Sequence, residues 1–116
     1  MDRKVYILLG IYTHIMIGNV LVFRFPKKAN QKSLNQFCKK FYGQNTSSGG
    51  GKYHYRRRGL LDDIPHIKLI RGVIIVSKEN TDRVVQFLRE YNAEFYVRDV
   101  ILLPEDEVIL NKTLPI

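Results

Sequence analysis

With 116 residues, 13.6 kDa, 45% hydrophobic and 26% charged side chains, the chain can build one core, has no room for a second, and is too apolar for wholesale disorder. Nineteen Lys and Arg against eleven Asp and Glu give a net charge of +8 and a pI near 9.7, which draws the molecule to RNA, DNA, anionic lipid or acidic protein. The single cysteine, Cys38, excludes an internal disulfide and a multi-cysteine zinc site and fits a reducing, cytoplasmic setting.

Val5 to Phe23 is a nearly continuous apolar stretch, interrupted by Thr13, His14 and Asn19 and preceded by Arg3 and Lys4. Its length would span a bilayer, and its basic start has the form of a signal peptide. However, Val20–Phe23 leads into Arg24-Phe25-Pro26 as a core strand, the remaining apolar run to Ile17 is too short to cross, and no A-x-A-like cleavage site follows. A membrane anchor is the less favoured reading. Residues 1–15 are taken as an N-terminal extension, either upstream of a natural start at Met16 or forming an extra edge strand at Val5–Tyr12.

Residues 16–110 are expected to form a single α+β domain, with 111–116 as a tail. Its first strand covers about Gly18–Phe25 and stops at Pro26, which cannot donate to a ladder. The spacing of Leu34, Phe37, Cys38, Phe41 and Tyr42 predicts a helix over 31–42 with one buried stripe, ended by Gly43. Gln44–Gly51 has the composition of a flexible linker and lacks the spacing of a phosphate-binding loop. Tyr53–Arg58 alternates aromatic and polar residues, as a strand does.

Leu60–Pro65 reads as a short connection whose Leu60, Leu61 and Ile64 anchor in the core. Ile67–Val76 is expected to be a second core strand, interrupted at Gly72. A helix over 79–91 is capped by Ser77 or Asn80 and stopped by Asn92 in the left-handed conformation. The last strand is 93–103, followed by an acidic helical turn at Glu105–Leu110. The order β-α-β-β-α-β predicts a ferredoxin-like domain, a four-stranded antiparallel sheet with two helices on one face and the other face open. The RNA-recognition motif shares this order, but Val73 and Ile75 stand where that family carries base-stacking aromatics, so the chain is not assigned to it.

Charge distribution points to function. Between Arg24 and Arg71 lie twelve Lys and Arg opposed only by Asp62 and Asp63, whereas residues 72–116 carry five basic and eight acidic side chains. Lys27, Lys28, Lys39, Lys40, Lys52, Arg56, Arg57, Arg58, Lys68 and Arg71 are the expected phosphate ligands, with Tyr53 and Tyr55 as stacking rings or, alternatively, core residues. Asp62, Asp63 and His66 form the one cluster with the elements of a metal-dependent nuclease, with His54 as an added acid or base. The bland alternative has the two aspartates capping a turn or pairing with Arg56–Arg58. The expectation is a non-enzymatic nucleic-acid-binding module, RNA ahead of DNA, with no metal or small-molecule cofactor. The nuclease is the alternative, and a domain that oligomerises through exposed sheet edges is the third reading.

Overall fold

The computed structural model describes residues 2–8, 11–26 and 30–111. Its central feature is a long strand, β2 (Ile11–Arg24), built from the apolar N-terminal sequence. The preceding strand β1 (Asp2–Leu8) folds back on residues 11–17 of β2. After Pro26, α1 (Gln31–Tyr42) starts at Asn30, whose side chain accepts from the Ser33 N–H at 2.7 Å. Gly43, at φ 83, ends it.

The next segment departs from the expected linker. Gln44–Ser48 is a strand, β3, which pairs with β4 (Tyr53–Arg57) in a two-stranded sheet of its own. Gly49, Gly50 and Gly51 all have positive φ and make the turn between them. β4 is therefore not a strand of the central sheet, contrary to the predicted order. A 3₁₀ turn at Leu60–Asp63 follows and inserts Leu61 into the core.

The predicted single strand over Ile67–Val76 is in fact a hairpin of β5 (His66–Ile70) and β6 (Val73–Ser77). Arg71-Gly72 is its two-residue turn, with Gly72 at φ 87, a conformation that a residue with a Cβ rarely adopts. The helix α2 (Lys78–Glu90), the strand β7 (Glu94–Ile101) and the helix α3 (Pro104–Leu110) complete the chain. Asn92 stands at φ 56 after α2, in the left-handed stop.

The result is a mixed α+β structure whose four central strands lie side by side as β5–β6–β2–β7, every neighbouring pair antiparallel. α1 and α2 press Phe37, Phe41, Val84 and Leu88 onto Leu21, Phe23, Ile74 and Val76 of the sheet. Phe23, Phe37, Phe41, Phe87 and Tyr91 form a continuous aromatic cluster, with ring centroids 4.8–6.1 Å apart. A buried polar bridge ties α2 to the sheet. The Thr81 hydroxyl donates to Asn19 Oδ1 at 2.7 Å, and Asn19 Nδ2 donates to Asp99 Oδ1 at 2.8 Å.

The opposite face is less open than predicted. α3 crosses it and places Leu110 with Leu102 against Ile75, with Val20 and Ile67 alongside. The reason lies in the last turn of sequence: Pro104 suits the first helical position and Leu110 supplies an apolar residue on the inward side. The part of that face left uncovered holds Val22, Ile70 and Tyr96. No helix among the described residues is long and apolar enough to cross a membrane.

Candidate functional site

Four of the predicted basic residues converge on one cleft. Lys39 and Lys40 come from the last turn of α1, and Arg57 and Arg58 from the end of β4. With Gln44 and Thr46 of β3 they line a space of about 690 Å³. The local chain dictates this meeting. Gly43 turns α1 directly into β3, so the hairpin starts where the helix ends. Alternation then puts Gln44, Thr46, Tyr53, Tyr55 and Arg57 on one face of the hairpin. The exposed carbonyls at the α1 C-terminus carry partial negative charge, which makes that end a favourable place to gather cations.

Among the described residues Lys39, Lys40 and Arg57 have no ion-pair partner. Their charge is uncompensated and faces water. Arg58 bonds to Asp63, which raises the Arg58 pKa, and its side chain is still half exposed. Lys52 sits exposed at the hairpin turn. Lys68 lies over the Tyr42 ring, 4.9 Å from its centroid, so it borders the same end of α1 from β5. Arg71 lies one helical turn further back, 3.4 Å from the Cys38 Sγ. Lys27 and Lys28 lie outside the described residues.

Arg56 belongs to the scaffold. Its Nη2 donates to the Tyr42 carbonyl at 2.7 Å and to both oxygens of Asp62 at 2.8 Å. Asp62 also accepts from the Gly59 N–H at 2.8 Å. The clasp closes where Gly43 and Gly59 approach so tightly that a Cβ on Gly59 would collide with the Gly43 backbone and the Phe41 carbonyl. Partial burial works against ionising Asp62, but the hydrogen bonds from Arg56 and Gly59 and the charges of Arg56 and Arg58 outweigh it and hold its carboxyl below the usual carboxylate range.

Asp62, Asp63 and His66 do not converge on a common point. Arg56 holds Asp62, Arg58 holds Asp63, and the His66 Nδ1 lies 2.8 Å from the Ile64 carbonyl. Among the described residues no group of three His, Cys, Asp or Glu is placed to hold a metal ion. His54 is on the hairpin face opposite Arg57, with Asn45, Ser47 and Arg56.

Tyr53 and Tyr55 are 57% and 55% exposed, so neither is a core residue. Among the described residues only Arg24 of the basic stretch reaches a carboxylate of the acidic C-terminal half, Glu94, while Asp99 takes Lys78.

Sequence reasoning missed Gln44 and Thr46, whose polar run had the look of a linker. The signal was two short runs flanking a glycine turn, a hairpin pattern. It also missed Tyr96 and Arg98, which lie on the uncovered sheet face opposite Val22 and Val20 in the register. No protein family model, no characterised protein and no solved structure matches this chain.

Proposed function

We propose that the chain is a non-enzymatic nucleic-acid-binding module, with RNA preferred over DNA, acting as a component of a ribonucleoprotein. The observation that carries this reading is the cleft shared by Lys39, Lys40, Arg57 and Arg58, where three of the four cations lack a counter-charge among the described residues. A phosphate entering it would replace water around guanidinium and ammonium groups already held together by the fold. The exposed rings of Tyr53 and Tyr55 share the Arg57 side of the hairpin, which suits unpaired bases stacking beside a phosphate track. Gln44 and Thr46 add neutral hydrogen-bonding groups suited to a ribose 2′-hydroxyl, which DNA lacks.

The strand order β5–β6–β2–β7, with α1 and α2 packed on one face, supports a ferredoxin-like core to which β1, the β3–β4 hairpin and α3 are added.

Fluorescence anisotropy with single-stranded RNA and DNA oligonucleotides of one length tests the reading. Wild type should bind at low salt, RNA more tightly, and Arg57→Ala or Lys40→Ala should each weaken binding about fivefold, the loss of one phosphate contact. No binding by wild type, or undiminished binding when Lys40→Ala and Arg57→Ala are combined, would remove the proposal.

A further inference from the structure

Among the described residues the outer edge of β7 has no strand partner, and its chemistry is self-complementary. Ile17 of β2 pairs with Asp2 of β1 and also with Ile101 of β7, so β1 and β7 lie on opposite edges of β2. Among the described strands β7 bonds to β2 alone, and its far edge runs open from Glu94 to Ile101. The Leu102 N–H donates to the Met16 carbonyl, and Leu102 continues the register in which Ile101 opposes Ile17. Alternation from that bond directs the backbone groups of Tyr96, Arg98 and Val100 toward β2 and those of Phe95, Val97 and Asp99 outward. Among the described residues the Val97 carbonyl, on the open side, accepts only from the Arg98 side chain, at 2.8 Å.

We infer that this edge pairs with the β7 edge of a second copy of the chain, antiparallel about a two-fold axis through Tyr96. A two-fold axis normal to the sheet brings residues of the same face opposite one another, so each symmetric register is centred on one β7 residue. Centring on Arg98 or on Asp99 sets like charges face to face, which is unfavourable. A register centred on Val97 sets Phe95 against Asp99.

Centring on Tyr96 places Glu94 of each copy opposite Arg98 of the other, twice over. It also sets Phe95 opposite Val97, whose outward N–H and C=O groups then bond reciprocally across the axis. The two Tyr96 rings meet at the centre, each beside a Val22. Tyr96 and Val22 are 59% and 44% exposed in the single chain, a level of apolar exposure that this contact reduces.

The proposal is independent of nucleic-acid binding, and its test reads mass rather than affinity for RNA. Sedimentation equilibrium of the full chain without nucleic acid should show a concentration-dependent shift from 13.6 kDa toward twice that mass. Arg98→Glu should abolish the shift, because Glu94 then faces a carboxylate. Because Glu94 also pairs with Arg24 of its own chain, the triple variant Arg24→Glu, Glu94→Arg, Arg98→Glu should restore it by exchanging the charges at every partner. Tyr96→Cys in a Cys38→Ala background should form an intermolecular disulfide on mild oxidation, since a non-hydrogen-bonded pair sets its Cα atoms about 4.5 Å apart. A monomer at every concentration would overturn the inference, as would a dimer unaffected by Arg98→Glu or a Tyr96→Cys chain that stays unlinked.

Discussion

Arg56 and Arg57 are one position apart, and the period of a β-strand gives them different work. Arg56 turns inward to the Tyr42 carbonyl and Asp62, joining the C-terminus of α1 to the 3₁₀ turn. Arg57 turns outward into the cleft. Arg56→Ala removes charge-assisted bonds from a partly exposed site and should cost about 1–2 kcal/mol in urea denaturation, whereas Arg57→Ala should leave the midpoint unchanged. Asp62 sets the pH dependence of the clasp. Its folded-state pKa is lowered, so its stabilisation is fully present above the unfolded value near 3.8 and is lost as pH falls through the lower folded value. Asp62→Asn should therefore be less stable than wild type at neutral pH, and the difference measured in urea should close only in acid well below pH 4.

At the level of elements, helices were easier to read than strands. Leu34, Phe37, Cys38 and Phe41 repeat with the helical period and have no other use, so α1 was evident from sequence to its last residue. β3 was invisible because Gln44–Ser48 pairs through its backbone and carries no apolar alternation. The β5–β6 hairpin was hidden for the opposite reason: apolar residues flank Arg71-Gly72 on both sides, and a break in a strand and a turn between strands share the same glycine. The sequence of α3 reads as a helical turn, but its role depends on Ile75, which is distant in sequence and meets it only in the folded sheet. Leu110 is the residue that seals this contact. Leu110→Ala should cost about 2–4 kcal/mol, measured as a lower urea midpoint, and should uncover apolar surface around Ile75 detectable by binding of a hydrophobic dye.

Across the whole molecule the charge asymmetry in the sequence becomes a spatial one only because of where α1 ends. Lys39 and Lys40 precede the turn at Gly43, Arg57 and Arg58 follow it by a hairpin's length, and Lys68 arrives from a separate hairpin onto Tyr42. The cationic stretch was visible from composition, but its division into clasp and cleft depended on contacts no linear count contains. Under the proposed function that division fixes the salt dependence of binding. With Arg56 and Arg58 each held by a carboxylate of the chain, Lys39, Lys40, Lys52, Arg57 and Lys68 are left to meet phosphates. Five contacts to a single strand give a slope of log K against log salt of about −3.5, and five to duplex DNA about −4.5. Anisotropy titrations between roughly 50 and 200 mM salt would read this slope directly. Arg57→Ala should flatten it by about 0.7 on a single strand, the release of one phosphate's counterions. In a variant that remains folded, Arg56→Ala should leave the slope where it was, since that guanidinium meets a carboxylate of its own chain. Equal flattening by the two substitutions would mean that Arg56 leaves Asp62 to contact the ligand, and the clasp would then be part of the binding surface.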